Sequence, residues 1–412
     1  MKKNIVTFLV ITLVLSACCN NKKQAEFLHV AGQEIHKGGE NFILRGMGLG
    51  GWMLQEGYML RIPSQGSQSV IKARITDLIG EEECERFYDL WLKNHLTRTD
   101  IDSMANWGFN SVRLPMHYNL FTLPVEQEPD SNQNTWFEKG FALTDSLLAW
   151  CKANDMYLIL DLHAAPGGQG KDANISDYNP EKPSLWESDL NKKKTVALWR
   201  KLAEYYADEP FIGGYDIINE PNWTFEGKNK NGIEDECNQP IWDLYKEITK
   251  AIREVDKKHI IFIEGNGWAN NYRGFPGPWD DNMVISFHKY WNPNTQEAIA
   301  GYIDMREKYN VPLWLGETGE NTNEWFRDCV QLIEANNIGW AWWPLKKVSS
   351  PRNPLTIVAP EGYEEILAYW ETGENKPTEK FSKKVLFQLA ENLKAENCIY
   401  NEELINALFS LD

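Results

Sequence analysis

Short runs of apolar residues alternate with amphipathic segments of helical length along most of the 412-residue chain. Runs that are apolar at nearly every position are typical of parallel strands buried on both faces. The predicted strands are Phe42–Met47, Asn110–Pro115, Met156–His163, Gly214–Asn219, His259–Gly265, Met283–Tyr290, Val311–Glu317 and Ile338–Trp343. The predicted helices between them include Thr99–Trp107, Phe137–Ala153, Lys192–Tyr206, Trp242–Val255, Gln296–Tyr309 and Glu324–Asn336. This alternation predicts an α/β protein with a (β/α)8 TIM barrel.

The two ends of the chain add smaller elements to this barrel. Phe27–Val30, Ile35 and the turn sequence Gly38-Gly39-Glu40-Asn41 predict a small hairpin that closes the barrel bottom. Residues 361–412 are predicted to supply the last outer helix and a C-terminal helical extension. Because the sequence contains no linker that would separate a second domain, residues 27–412 are predicted to form one domain. A doubly wound sheet also alternates strands and helices, but the absence of a GxGxxG or phosphate-binding loop disfavours it.

The loops differ in length at the two ends of the predicted barrel. Helix-to-strand turns are brief, whereas the strand-to-helix loops are long, namely Ala164–Asp189, Pro221–Pro240, Gly265–Asn282 and Leu345–Glu361. Functional groups of such barrels gather at the carboxyl ends of the strands. Glu220 and Glu317 each follow an apolar strand run and are predicted to lie at that end. Two facing carboxyls suit glycosidic bond cleavage, which needs one protonated acid and one ionised carboxylate.

The first residues are predicted to direct secretion rather than to fold. Lys2 and Lys3 precede an apolar run, Ile5 to Leu15, that is too short to span a bilayer. Its end, Leu15-Ser16-Ala17-Cys18, is similar to a bacterial lipobox. This predicts a signal peptide over 1–17, lipidation of Cys18 and a tether over 18–26; a plain signal peptide is the alternative. The expected location is that of a secreted lipoprotein at the outer membrane, facing the periplasm or the cell surface.

The composition of the chain indicates which kinds of molecule it can bind. The formal net charge of −17 argues against nucleic acid and anionic membrane surfaces, so membrane association is expected only through the lipid. The 18 tryptophans exceed ordinary packing needs, and indole faces suit stacking on sugar rings. The cysteines have no metal-like spacing. We therefore predict no disulfide, metal or organic cofactor.

The motifs around the two glutamates, Asn219-Glu220-Pro221 and Gly316-Glu317-Thr318-Gly319, are typical of one enzyme family. From about Phe27 to Pro344 the chain resembles glycoside hydrolase family 5, the cellulase-like group. The resemblance implies that Glu220, after the fourth strand, is the acid/base and that Glu317, after the seventh, is the nucleophile. It also implies substrate-site roles for Arg113, which braces the nucleophile, for His163, for Asn219, which binds the sugar 2-hydroxyl, for His288 and Tyr290, and for Trp343 beneath the sugar.

These implied roles have physical reasons. Arg113 provides a cation that cannot lose its proton, which favours an ionised Glu317. Tyr290 can donate a hydrogen bond to the same carboxylate. A negative charge on Glu317 raises the pKa of Glu220, which must begin protonated. The sequence thus predicts opposite protonation states for the two glutamates.

Two segments resemble the exo-β-1,3-glucanase branch of this family more closely. They are Gly50-Gly51-Trp52-Met53-Leu54-Gln55-Glu56 and Asp161-Leu162-His163-Ala164-Ala165-Pro166-Gly167. The resemblance implies that Glu56 contacts the terminal sugar. From their positions after the first and third strands, Glu56 and the long loop Ala164–Asp189 are predicted to close one end of the cleft. The chain departs from the family pattern at Thr318 and at Pro344-Leu345-Lys346-Lys347. Glu320 lies close to Glu317 and is expected either to contact the substrate or to cap the following helix, of which the cap is favoured.

The prediction is a retaining β-glycosidase that hydrolyses β-glucan or β-linked gluco-oligosaccharides, of the β-glucosidase or exo-glucanase type. An endo-acting cellulase, mannanase or xyloglucanase of the same family is the nearest alternative. A non-catalytic glycan-binding lipoprotein on the same scaffold would lack one of the carboxylates or its support. A metal-dependent hydrolase barrel would need His-x-His after the first strand, where Gly48-Leu49-Gly50 stands.

Overall fold

The structure, a computed structural model, describes residues 26–64, 66–130, 133–229 and 231–409. The predicted signal peptide and Cys18 lie outside these residues. A small antiparallel sheet comes first, with strands β1 (Leu28–Ala31), β2 (Glu34–Lys37) and β3 (Glu40–Asn41). Its Leu28 and Ile35 pack on apolar residues at the start of the barrel strands, such as Ile260 and Trp314. The predicted closure of the barrel bottom is confirmed, although by three strands rather than a hairpin.

The central sheet is a closed barrel in which every neighbouring pair of strands is parallel. Its strands, which follow one another around the barrel in chain order, are β4 (Arg45–Gly48), β5 (Ser111–His117), β6 (Tyr157–Ala164), β7 (Ile212–Asp216), β8 (Ile260–Glu264), β9 (Met283–Lys289), β10 (Leu313–Gly319) and β11 (Gly339–Trp343). Short strands β12 (Lys346–Val348), β13 (Leu355–Ile357) and β14 (Ile399–Tyr400) form a third sheet. The predicted (β/α)8 barrel is confirmed.

Helices surround the barrel. In the described residues they are α1 (Gln68–Ile79), α2 (Glu81–His95), α3 (Arg98–Trp107), α4 (Glu138–Ala153), α5 (Ala173–Ser176), α6 (Asp189–Tyr206), α7 (Gln239–Val255), α8 (Asn266–Ala269), α9 (Gln296–Tyr309), α10 (Asn323–Ala335), α11 (Tyr363–Thr372), α12 (Glu379–Glu391) and α13 (Glu402–Phe409). Of the described helices, none is long and apolar enough to cross a bilayer.

The strand–helix alternation is less regular than predicted. Between β8 and β9 the chain forms only the four-residue helix α8. Glycines and prolines are frequent in this connection, residues 265–282, and both residue types disfavour a continuous helix. The predicted long loop Gly265–Asn282, which the structure describes throughout, thus contains one short helix, and no outer helix of ordinary length lies between these two strands.

The C-terminal region contributes to two separate apolar clusters. Helix α13 is the last outer helix, because its Phe409 packs on Phe109 and Trp340 of the barrel. Helices α11 and α12 instead pack with α1 and α2 in a second core that includes Phe87 and Leu386. Helices α1 and α2 were not among the predicted elements. They extend the wall of the barrel near the carboxyl end of β4.

Candidate active site

Glu220 and Glu317 lie together at the carboxyl end of the barrel. Glu317 is in β10, which shifts its register against both neighbouring strands between Leu315 and Thr318. Glu220 follows β7 with a left-handed backbone φ of 41°, a conformation that is uncommon for residues other than glycine. A carboxylate oxygen of one glutamate lies within 4.8 Å of an oxygen of the other. The barrel thus brings the two predicted glutamates face to face.

The carboxylate of Glu317 is held by a fixed cation and a hydroxyl group. Nη1 of the fully buried Arg113 donates to its Oε1 at 2.5 Å, and the Tyr290 hydroxyl donates to its Oε2 at 2.8 Å. Burial would raise the pKa of Glu317, but the positive charges of His288, Arg113 and His163, together with the bond from Tyr290, outweigh burial and lower it. Glu317 is therefore poised as an ionised carboxylate.

Glu220 has a different electrostatic environment. Nδ1 of His288 lies 2.6 Å from its Oε1. Burial raises the pKa of Glu220 and the charge of Glu317 raises it further, which outweighs the opposing effect of His288. The pKa values of the two carboxyls are thus displaced in opposite directions. Such a pair can divide the roles of acid and nucleophile.

His163 connects several of the remaining predicted residues. Its Nδ1 lies 2.8 Å from Oδ2 of Asp161, and its Nε2 lies 3.6 Å from Oε1 of Glu56. Burial would lower the pKa of His163, but the charge and hydrogen bond of Asp161 together with the effects of Glu56 and Glu317 outweigh burial, and the pKa rises to about 10. Asn219 accepts a hydrogen bond from Arg113 Nη2 at 2.8 Å, and its Nδ2 lies 3.3 Å from His163 Nε2. Burial raises the pKa of Glu56 to about 7.

Trp343, at the end of β11, is fixed by its neighbours. The ring stacks on His163 with centroids 5.2 Å apart and an interplanar angle of 11°. A β-carbon at Gly48 or Gly50 would approach the indole to 2.5 or 2.7 Å, so glycine at these positions makes room for the ring. The indole N–H donates to the Tyr58 hydroxyl oxygen at 2.9 Å. The ring is only 3% exposed, so its contact with a bound sugar is confined to a small surface.

A cavity of about 710 Å³ lies over the two glutamates. The predicted residues that line it are Glu56, His163, Glu220, His288, Tyr290, Glu317 and Trp343. Arg113 and Asn219 are fully buried beside them. On the Glu220 side the cavity is lined by Trp268 and Asn270 of the loop after β8, and Trp291 lies at its mouth with 70% exposure. The predicted site residues thus form one continuous constellation.

Glu264, at the end of β8, was not predicted from the sequence. Its Oε2 accepts the backbone N–H of Glu220 at 2.6 Å, and its Oε1 lies 3.0 Å from Arg113 Nη2 and 3.2 Å from His288 Nε2. Asp216 in β7, also unpredicted, accepts from Arg113 Nε at 2.9 Å. Burial and the charge of Glu264 raise the pKa of Asp216 to about 7. The available signal was an acidic residue in an otherwise apolar strand, because an unpaired buried carboxylate is costly.

Glu320 does not cap the next helix, so that prediction is wrong. The cap of α10 is Thr322, whose hydroxyl oxygen accepts the N–H of Trp325 at 3.3 Å. Glu320 lies two residues earlier with a left-handed φ of 59°, pairs with Lys347 at 2.5 Å and lines the cavity. The position of Lys347 on β12 cannot be read from local sequence, which is why the ion pair was not foreseen.

Glu220, His288 and Glu317 also have the donor atoms that a divalent cation uses, all within 4.8 Å of one another. Carboxylate oxygens and imidazole nitrogens are ordinary metal ligands. However, the guanidinium of Arg113 lies 2.5 Å from Glu317, so one oxygen of that carboxylate already has a cationic partner. Burial opposes the charge on His288, yet the carboxylates around it, Glu264 foremost, raise its pKa well above the usual range. A charged imidazole cannot ligate a metal, so the cluster fits an acid–nucleophile pair better than a metal site.

A parallel barrel with two facing, oppositely tuned carboxyls at its carboxyl end defines a class of protein, the glycoside hydrolases. Residues 72–349 match the family model for cellulase (glycosyl hydrolase family 5). This match covers more than half of the chain. The chain therefore belongs to glycosyl hydrolase family 5, and the protein is an enzyme that hydrolyses glycosidic bonds.

Individual relatives agree with this family. A β-xylosidase of Phanerodontia chrysosporium is 32% identical over 360 residues, which cover 78% of this chain and 71% of that protein. Endoglucanase C of Acetivibrio thermocellus is 27% identical over 330 residues, covering 63% of this chain and 88% of that one. A solved structure of an endogalactoceramidase is 18% identical with a TM-score of 0.56, over 88% of this chain and 84% of that chain. The likeness to the solved structure concerns the fold alone.

Proposed function

We propose that this enzyme hydrolyses β-glucan or β-linked gluco-oligosaccharides from a chain end, with retention of anomeric configuration. The observation that carries retention is the close approach of Glu220 and Glu317, with carboxylate oxygens within 4.8 Å. Retaining glycosidases place their carboxyls about 5–5.5 Å apart, whereas inverting enzymes leave about 6.5–9.5 Å for a water molecule. A separation of this size agrees with the shorter, retaining range rather than with the inverting one.

The opposite pKa displacements supply the two steps of a double displacement. Glu317, ionised beside Arg113, attacks the anomeric carbon while protonated Glu220 donates its proton to the leaving oxygen. The resulting glycosyl ester removes the charge of Glu317, and with it one cause of the raised pKa of Glu220. Glu220 then accepts a proton from the incoming water. We propose that Asn219, whose Oδ1 accepts a hydrogen bond from Arg113, binds the sugar 2-hydroxyl.

Action at a chain end is supported by contacts between the two segments that were predicted to close one side of the cavity. The segment after β4 and the loop after β6 are tied together, because the N–H of Gly66 donates to Asn174 Oδ1 at 2.8 Å and that of Ser69 to Asp177 Oδ1 at 2.9 Å. Glu56 lines the cavity behind these contacts. A polysaccharide cannot thread through a closed side, so the cavity would hold only the terminal sugar or sugars there.

The second candidate is internal cleavage of β-glucan. It is supported by the similarity to Endoglucanase C and by the open side of the cavity near Trp268 and Trp291. In that case the closed side would have to open on binding. The nature of the first products decides between the two modes.

Hydrolysis of β-1,3- and β-1,4-linked gluco-oligosaccharides should release a β-anomeric monosaccharide or short saccharide first. Proton NMR during the first minutes identifies the anomer, and chromatography identifies the product length. An α-anomeric first product would contradict retention. Mixed long oligosaccharides without early short product would contradict end-wise action and favour the endo mode.

Replacing Tyr290 by phenylalanine should shift the acid limb of the kcat/KM profile to higher pH. The Tyr290 hydroxyl stabilises the ionised form of Glu317, so its removal raises the pKa of that carboxyl. A hydrogen bond to a charged group corresponds to a loss of about ten- to hundredfold in kcat/KM. The alkaline limb, which reports Glu220, should move less. An acid limb that stays in place or moves to lower pH would contradict this assignment.

Attachment to a membrane through Cys18 is proposed from the lipobox-like sequence Leu15-Ser16-Ala17-Cys18. Replacing Cys18 by alanine should release the enzyme from the membrane fraction and abolish incorporation of labelled palmitate. Replacing Cys19 by alanine is the matched control, which should leave both properties unchanged. A mature protein that begins at another residue, without lipid, would contradict the proposal.

A further inference from the structure

Glu320 in the cavity wall forms an ion pair with Lys347, which lies behind it in the segment that departs from the family pattern. Lys347 Nζ contacts both carboxylate oxygens of Glu320, at 2.8 and 2.5 Å. The Lys347 side chain is 7% exposed and that of Glu320 is 16% exposed. Lys347 Nζ also lies 5.4 Å from the centre of the Tyr58 ring. The three side chains therefore form one cluster, which we call the Glu320–Lys347–Tyr58 cluster.

The cluster lies on the side of the cavity opposite the acid. Glu320 follows β10, and its neighbour Gly319 pairs in register with Trp343 of β11. Tyr58 accepts the indole N–H of Trp343. In contrast, Trp268 lies on the Glu220 side, where its backbone N–H donates a hydrogen bond to the carbonyl oxygen of Pro221. Since Glu220 protonates the leaving oxygen, the cluster is on the side of the sugar that becomes attached to Glu317.

The carboxylate of Glu320 can accept further hydrogen bonds on this side of the cavity. A carboxylate has about four acceptor positions, and Lys347 makes one contact to each oxygen of Glu320. Desolvation makes a buried ion pair a poor way to gain stability compared with apolar packing. A carboxylate that is fixed by a buried lysine and lines a cavity is instead suited to orient hydroxyl groups of a ligand. Glu56 adds a second carboxyl on the same side.

We propose that Glu320, positioned by Lys347, is a specificity-determining residue that accepts hydrogen bonds from hydroxyls of a neutral terminal sugar and disfavours an acidic one. The inference rests on the proposed function, because it assumes that this side holds the terminal sugar. Hydroxyl groups satisfy a carboxylate, whereas a uronic acid would bring a like charge towards Glu320. The substrate class is therefore a β-linked chain that ends in a neutral sugar.

The test compares 4-nitrophenyl β-glucoside, β-xyloside and β-glucuronide with wild-type enzyme and the variant Glu320→Gln. The wild type should prefer the neutral glycosides to the glucuronide. Glu320→Gln should lower kcat/KM on the neutral sugar by about tenfold, as expected for a hydrogen bond to a charged group, and should raise the ratio of glucuronide to glucoside activity. Lys347→Met should lower activity on the neutral sugar in the same direction, because Glu320 loses its positioning cation.

The matched control is Glu324→Gln, an exposed glutamate in the first turn of α10. This variant should leave the glycone ratio unchanged. Equal losses on all three glycosides in Glu320→Gln, with an unchanged ratio, would overturn the inference. Calorimetric binding of glucose, xylose and glucuronate gives the same comparison without turnover. Inversion in the NMR experiment would thus contradict the proposed mechanism, while unchanged sugar selectivity would contradict the role of Glu320.

Discussion

Replacing Glu317 by alanine is expected to lower kcat/KM by at least about 10⁴-fold, because the reaction loses its nucleophile. Glu220→Ala should be equally damaging on substrates with poor leaving groups. On 2,4-dinitrophenyl glycosides, whose leaving group needs no proton, its glycosylation step should be largely spared. Steady-state and burst kinetics on the two substrate types, measured side by side, separate the two roles.

Stability provides the control for this prediction. Both glutamates are buried at the cavity surface, so each variant should be checked for a native unfolding transition. Exogenous azide should restore turnover of both variants but give different products. In Glu317→Ala azide replaces the nucleophile and gives an α-glycosyl azide, whereas in Glu220→Ala it replaces the incoming water and gives a β-glycosyl azide. The reverse pairing of products would exchange the two roles, and rescue of neither would contradict the double displacement.

Replacing Arg113 by methionine should lower the free energy of unfolding by about 3–5 kcal/mol, the usual cost of removing one partner from buried charges. Its guanidinium contacts four carboxylates, at 3.3 Å for Asp161, 2.8 Å for Asp216, 3.0 Å for Glu264 and 2.5 Å for Glu317. Without it these buried groups must take up protons or remain uncompensated. Urea denaturation measures the loss, which should become smaller as the pH falls because protonation removes the uncompensated charge.

Arg45→Met is the matched control for Arg113→Met. Arg45 makes a two-pronged pair with Glu334 at 2.7 Å, but its side chain is 42% exposed. Because water screens such a pair, its loss should cost only about 0–1 kcal/mol. Activity should be retained in Arg45→Met and lost in Arg113→Met. Similar losses of stability in the two variants would show that the carboxylates around Arg113 are already neutral in the native enzyme.

The site was partly predictable because it obeys a simple positional rule. Glu220 and Glu317 follow apolar runs directly, and the carboxyl ends of parallel strands meet at one edge of the barrel. By contrast, nothing local marks Glu264 as a partner of Glu220, since 44 residues separate them. The expected cap by Glu320 failed for the same reason, because its partner Lys347 arrives from another strand. Residue types in the sequence therefore indicated which side chains belong to the site, but not which side chains from different strands pair with one another.

The sequence itself predicted a closed parallel barrel, because continuous apolar runs must be buried on both faces and helices between successive strands keep those strands parallel. The chain likewise determined which end of the barrel carries the carboxyls. Opposite protonation states were expected for the two glutamates, but only the tertiary structure revealed that His288 helps to lower the pKa of Glu317 and that burial is the main cause of the raised pKa of Glu220. The tertiary structure also revealed that α1 and α2 pack with α11 and α12, and that Glu320 forms an ion pair with Lys347. The burial of a side chain and the electrostatic field at it depend on neighbouring residues from many strands. Those residues come together only when the barrel has closed.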